Sequence, residues 1–188
     1  EEGLLIDKDH FMTISPDEGS MNRAIYLANV LGVDMGMYYK RLDYSRYVNG
    51  RHPIAAYEFL GPKIEGKDMI LIDDMISSGD TIIKIASLLK EKGAGRVYIC
   101  STFGFFTDGL DKFDDAYKKG YFDKLLTTNL VYQSPELLEK PYYISCDMSK
   151  YIALIIDTLN HDTSVSHLLN PVDRIKRCVT NYMSQHEK

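Results

Sequence analysis

Asp73 and Asp74 close an apolar run, Met69 to Ile72, and two residues later the chain turns polar: Ser77, Ser78, Gly79, Asp80, Thr81. From Ile82 the residues are apolar again, now at helical spacing. A buried strand delivering two carboxylates to a short hydroxyl- and glycine-rich loop at a helix start has a definite chemistry. The backbone N–H groups and the positive end of the helix dipole favour an anion of phosphate size. Adjacent carboxylates suit the two cis hydroxyls of a ribose, directly or through a magnesium ion. The segment reads as a cradle for a sugar phosphate. The plainer reading is a strand–turn–helix in which Asp74 or Ser77 only caps the helix.

The elements that position this segment follow from periodicity. Apolar runs alternate with helix-period stretches, the pattern of a parallel sheet covered by helices. Phe11 to Ile14 reads as a first strand, and Glu18 to Leu31 as a helix with apolar residues at 21, 24, 25, 27, 28 and 31, ended by Gly32. Val33 to Tyr39 reads as a strand, residues 40–53 as a long mobile loop carrying Lys40, Arg41, Arg46, Asn49, Gly50 and Arg51, and Ile54 to Phe59 as a strand. The motif strand is expected over 68–73 and its helix over Thr81 to Lys92, closed by Gly93. Further strands are expected at Arg96 to Thr102, Leu125 to Thr128 and Tyr142 to Cys146, and a helix over Asp108 to Lys119. Asp147 caps another helix through Leu159, and Asn170-Pro171 opens a last one to about Met183, with Pro where a first turn tolerates it. This predicts an α/β fold, a mostly parallel twisted sheet flanked by helices, with one domain over 1–169 and a C-terminal helix over 170–188.

Composition bounds the reading. A chain of 188 residues suits one sizeable core, and 45% hydrophobic with 26% charged residues is ordinary for a globular protein. The net charge of −5 argues against nucleic acid as a partner, since phosphate-backbone binding needs a basic face. No apolar run approaches the ~20 residues of a membrane span and no signal-peptide pattern opens the chain, so no membrane partner is expected. Cys100, Cys146 and Cys178 show no metal-ligand spacing, and a reducing, cytoplasmic setting is expected.

The run from Met69 to Thr81 resembles the phosphoribosyl pyrophosphate loop of type I phosphoribosyltransferases and of ribose-phosphate pyrophosphokinases. Asp73, Asp74, Ser77, Ser78, Gly79 and Thr81 fit that pattern, and Asp80 takes a position that is often glycine. Other stretches resemble the pyrophosphokinase branch: Ile14-Ser-Pro-Asp-Glu-Gly19 with Arg23-Ala24 downstream, Tyr39-Lys-Arg41 before a basic loop, Ile64-Glu-Gly-Lys67, Thr128-Asn129, and the helix from Asp147. The similarity spans roughly residues 11–160 and matches one half of that enzyme, the C-terminal one. It implies a type I phosphoribosyltransferase-like fold and transfer of the β,γ-diphosphate of ATP to the C1 hydroxyl of ribose 5-phosphate, with Mg²⁺ as cofactor and phosphoribosyl pyrophosphate as product. Carried over by position, Ser77, Ser78, Gly79, Asp80 and Thr81 hold the 5-phosphate, Asp73 and Asp74 the ribose hydroxyls, Asp17 the magnesium, and Lys40 the transferring phosphoryl. Asp17 has a plainer reading as an N-cap, and Lys40 and Arg41 as solvated strand-end charges.

Two departures temper the resemblance. The family's loop pattern is Lys, any residue, Arg, whereas here it is Lys40-Arg41-Leu42. Leucine cannot neutralise phosphoryl charge, and losing one such donor costs on the order of 10²–10³ in rate; Arg41, Arg46 or Arg51 are the candidate replacements. Second, the chain is half the length of the two-domain kinase, so it is expected to be a part that binds ribose 5-phosphate or phosphoribosyl pyrophosphate and turns over poorly. The alternatives are a stand-alone phosphoribosyltransferase and a non-catalytic regulatory relative. The resemblance also implies a homo-oligomer.

Overall fold

Apolar-rich runs of four to nine residues, five of the seven followed by a helix, build one sheet in the computed structural model, which describes residues 3–47, 50 and 52–186. The strands are β1 (Phe11–Ser15), β2 (Asp34–Leu42), β3 (Ile54–Leu60), β4 (Asp68–Ile76), β5 (Val97–Gly104), β6 (Lys124–Thr128) and β7 (Tyr143–Cys146). They lie in the order β3-β2-β1-β4-β5-β6-β7, all neighbours parallel except the antiparallel β2–β3 pair. β1 is buried along its whole length, as a central parallel strand covered on both faces must be.

The helices are α1 (Met21–Leu31), α2 (Asp80–Glu91), α3 (Asp111–Lys118), α4 (Pro135–Leu138), α5 (Ser149–Asn160), α6 (Ser166–Leu169) and α7 (Val172–His186). On one face, Met12, Ile14, Met69, Leu71, Val97, Ile99 and Leu125 meet Ile85, Leu89 and Phe113 of α2 and α3 in the main core. On the other face, Phe11, Ile70 and Met35 pack with Ala28 of α1 and with Val33. The half-buried positions of α7 include the stripe Val172, Ile175, Val179 and Met183, and this helix lies against α1. α5 differs from the others: Ile152, Leu154, Ile156 and Leu159 are all exposed.

The structure corrects some expected boundaries. β2 runs through Leu42, so the loop predicted over 40–53 begins at Asp43; Asn49 and Arg51 lie outside the described residues. The extension exists because β3 returns as a hairpin partner, pairing Lys40 with Tyr57 and Arg41 with Ala56, which strand periodicity alone does not reveal. β4 likewise continues past Asp73 to Ile76, because β5 runs beside it and pairs Met75 with Phe103 and Ile76 with Gly104. The short helices α4 and α6 have no counterpart in the periodicity reading.

Candidate functional site

The chain leaves β1 toward β2 on one side and returns to β4 on the other, so strand order reverses between β1 and β4. Loops beyond the carboxyl ends of two such strands diverge and leave a crevice. Here that crevice is a cavity of about 360 Å³ lined by Asp17, Gly19 and Ser20 from the connection between β1 and α1, and by Asp73 to Ile82 from β4 and the start of α2. Every ribose 5-phosphate-binding residue expected from the sequence lies on this one cavity.

Asp73 is tied from two directions. Its Oδ1 accepts a hydrogen bond from Ser20 Oγ at 2.6 Å and from the Asp74 amide at 2.9 Å. Ser20 is 2% exposed and belongs to the short 3-10 turn Glu18–Ser20, so it fastens the β1 connection to β4 at Asp73. Sequence reasoning passed over Ser20; its place beside the Asp17 turn was the available signal, but its partner lies 53 residues away. Burial raises the Asp73 pKa above the ordinary aspartate value, opposed by the Ser20 and Asp74 hydrogen bonds and reinforced by the charges of Asp17 and Asp74. Asp74 has Arg23 Nη2 at 3.7 Å from its Oδ2.

Asp17 serves two contacts at once. Its Oδ1 accepts from the Gly19 amide at 3.0 Å, capping the 3-10 turn, and its Oδ2 pairs with Lys40 Nζ at 2.9 Å. Lys40 therefore reaches the cavity through Asp17. Arg41 does not: side chains alternate along a strand, and Arg41 turns to the opposite face, where its Nε lies 2.8 Å from Glu58 Oε1. Glu58 is on that face because it is the cross-strand partner of Tyr39. Arg46 sits farther out, with Nε 3.9 Å from Asp43 Oδ2. His52, beside it in the loop, packs between Tyr44 and Tyr47 at ring-centroid distances of 5.0 and 5.2 Å.

At the Ser77–Thr81 loop the helix α2 has no side-chain cap. The N-cap is Gly79, in the left-handed region at φ +83°, and neither Asp74 nor Ser77 occupies the role that the plainer reading assigned them. A Cβ on Gly79 would stand 2.3 Å from Phe113 Cζ, a ring that is completely buried, so glycine alone fits both the dihedral and the space. Ser77 Oγ lies 3.3 Å from Thr107 Oγ1. Asp80 is held by Ser78 Oγ at 2.8 Å and by Lys112 Nζ at 2.8 Å. These hydrogen bonds, that of Lys112 first, keep the Asp80 carboxyl below the ordinary aspartate range. The arrangement joins acidic side chains and an anion-receptive loop on one surface, which is what a phosphorylated polyol requires.

A profile described as the phosphoribosyl synthetase-associated domain matches residues 51–170, more than half of the chain. The chain belongs to this phosphoribosyl synthetase family. Its relatives include the ribose-phosphate pyrophosphokinase of Shewanella oneidensis, 30% identical over 171 residues that cover 90% of this chain and 51% of that protein. That of Vibrio parahaemolyticus is 29% identical over 163 residues, covering 86% and 49%. The synthetase-family chain thus spans about half the length of the curated relatives it matches. Its fold is that of the phosphoribosylpyrophosphate synthetase from Mycobacterium smegmatis, with a TM-score of 0.67 at 24% identity over 81% of this chain and 45% of that one. The mostly parallel sheet flanked by helices is the type I phosphoribosyltransferase-like fold expected from the sequence.

Magnesium is the cofactor implied for this family, and the donor set can be tested against it. Among the described residues no group of three or more histidine, cysteine or acidic side chains forms a ready metal cage. Asp17, Asp73 and Asp74 nevertheless border one cavity next to the Ser77–Thr81 loop. Mg²⁺ is commonly held by one or two carboxylates, several waters and substrate phosphates, so these residues fit an ion that arrives with its phosphorylated ligand.

Proposed function

We propose that this chain is the ribose 5-phosphate-binding half of a ribose-phosphate pyrophosphokinase, which transfers diphosphate from ATP to C1 of ribose 5-phosphate and yields phosphoribosyl pyrophosphate. The observation that carries this reading is the convergence of Asp73 and the Ser77–Thr81 loop on one cavity at the point where strand order reverses. In this assignment the backbone and hydroxyl donors of Ser77 to Thr81 hold the 5-phosphate. Asp73 has Oδ1 occupied by Ser20, so it takes the ribose hydroxyls through Oδ2, with Asp74 beside it. Asp17 would hold a magnesium ion, which when bound would neutralise charge on the substrate phosphates. Lys40 leaves Asp17 to face the transferring phosphoryl, where a fixed cation stabilises developing charge.

Turnover by this chain is expected to be slow. Among the described loop cations Lys40, Arg41 and Arg46, Lys40 meets Asp17 at the cavity, Arg41 is engaged by Glu58 on the far face and Arg46 pairs with Asp43; Leu42 brings no charge, and Arg51 lies outside the described residues. The same observation favours the second reading, a non-catalytic relative that binds the sugar phosphate and modulates a partner. Homo-oligomeric association belongs to the proposal and is supported by the exposed apolar side chains of α5.

The test is calorimetric titration with ribose 5-phosphate and with ATP, each with and without Mg²⁺. Ribose 5-phosphate is expected to bind, with ATP weak, and Asp73→Ala is expected to weaken the sugar phosphate at least tenfold. Failure of ribose 5-phosphate to bind, or indifference to Asp73→Ala, would count against the proposal. Binding of phosphoribosyl pyrophosphate alone would move the reading to a phosphoribosyltransferase.

A further inference from the structure

Asp80 is an unexpected residue at a phosphate loop. It stands where the family pattern often has glycine, at the first position of α2, and it lines the cavity. A phosphate monoester bound by the Ser77–Thr81 donors brings negative charge toward that carboxylate. Two like charges about 5 Å apart in water-like surroundings repel by roughly RT or more, and a dianion doubles this, enough for about a tenfold loss of affinity.

The fold supplies an answer from outside the motif. Lys112, in the first turn of α3, places Nζ 2.8 Å from Asp80 Oδ1 and 2.9 Å from Asp108 Oδ2, while Ser78 Oγ donates to Asp80 Oδ2 at 2.8 Å. Both oxygens of Asp80 are thereby engaged. The register is set by packing: Phe113, the next residue, lies so close over Gly79 that no side chain fits there, and this contact brings Lys112 alongside the loop. The shifts of the pair agree, since the hydrogen bonds of Lys112 and Ser78 lower the Asp80 pKa and those of Asp80 and Asp108 raise that of Lys112.

We propose that Lys112 is a positioning residue for the phosphate end of the site: by holding Asp80 it lets a loop that carries its own carboxylate accept a phosphate monoester. The inference rests on the reading of Ser77–Thr81 as the 5-phosphate cradle. The exposed ion pair contributes little to folding, so its removal tests binding rather than stability.

The experiment is a double-mutant cycle. Ribose 5-phosphate and inorganic phosphate are titrated into the wild type, Lys112→Gln, Lys112→Arg, Asp80→Asn and the Asp80→Asn/Lys112→Gln pair, with the melting temperature of each recorded. Lys112→Gln is expected to weaken both probes about tenfold, Lys112→Arg to restore wild-type affinity, and Asp80→Asn to bind at least twofold tighter. In the Asp80→Asn background Lys112→Gln is expected to cost under about threefold, because the charge it answers is gone. An equal loss in both backgrounds, or no loss from Lys112→Gln, overturns the proposal while leaving the phosphate cradle standing. A wild type that binds neither probe overturns the cradle itself, and the role of Lys112 with it.

Discussion

Asp73 Oδ1 receives two hydrogen bonds, and its carboxyl still lies above the ordinary aspartate range because burial withdraws it from water and Asp17 and Asp74 add like charge. A carboxyl with a raised folded pKa is more protonated in the folded than in the unfolded state, so its contribution to stability is present below the unfolded pKa and is lost as pH rises through the folded one. Asp73→Asn removes that charge while keeping an acceptor for Ser20. It is expected to raise the melting temperature of the unliganded protein at pH 7 and to lose that advantage by pH 3. Scanning calorimetry of both proteins across this range checks it; an equal difference at both ends would mean the charge is not the cause. The loop residues were legible in the sequence because they are contiguous, but Ser20, Lys112 and the Lys40–Asp17 pair were not. Their roles depend on separations of 53, 32 and 23 residues that only the sheet brings together.

At the scale of elements, the loop between β4 and α2 owes its shape to one steric fact. Gly79 has φ +83° and lies against the buried ring of Phe113, which also packs edge-on to Phe106 at 5.2 Å. Phe113 has no space to withdraw into, so α3 fixes the start of α2. Gly79→Ala is expected to destabilise the fold by about 1–3 kcal/mol through overpacking, with the positive φ adding to it, and to weaken ribose 5-phosphate at least tenfold. Chemical denaturation with a matched titration checks both effects; unchanged stability would mean that the loop and α3 move apart freely. Elsewhere, Asp114 of α3 accepts from Tyr142 Oη at 2.7 Å and pairs with Lys140 Nζ at 2.7 Å, tying that helix to the approach to β7.

At the scale of the whole molecule, the two faces of the sheet are covered unequally. α2 and α3 seal one face with the main core, and α1, backed by α7, covers the other over β1, β2 and β4. α5 leaves Ile156 at 62% and Leu159 at 60% exposure, with exposed Ile152 on the same helix face one turn before Ile156. Contiguous exposed apolar side chains on a helix mark an association surface. Light scattering coupled to gel filtration is expected to find the wild type as an oligomer and Ile156→Glu/Leu159→Glu shifted at least partly to monomer. A wild type that is monomeric at every concentration would remove the oligomer from the proposal.

The sequence by itself determined the fold class, the order of most elements and the place of the Ser77–Thr81 loop between a strand and a helix, because each rests on contiguous residues: period-two and period-3.6 patterns bury apolar surface locally, and the motif is thirteen residues long. Local patterns also sufficed for the last helix after Asn170-Pro171, whereas Asp147, expected as the cap of α5, precedes its N-cap Met148 and only accepts from the Ser149 amide at 2.9 Å. The tertiary structure alone decided which charges meet. Strand pairing carried β2 through Leu42 and turned Arg41 toward Glu58, and packing of Phe113 on Gly79 brought Lys112 to Asp80. Such contacts join residues far apart in the chain, and their geometry follows from register and packing, which no local spacing encodes.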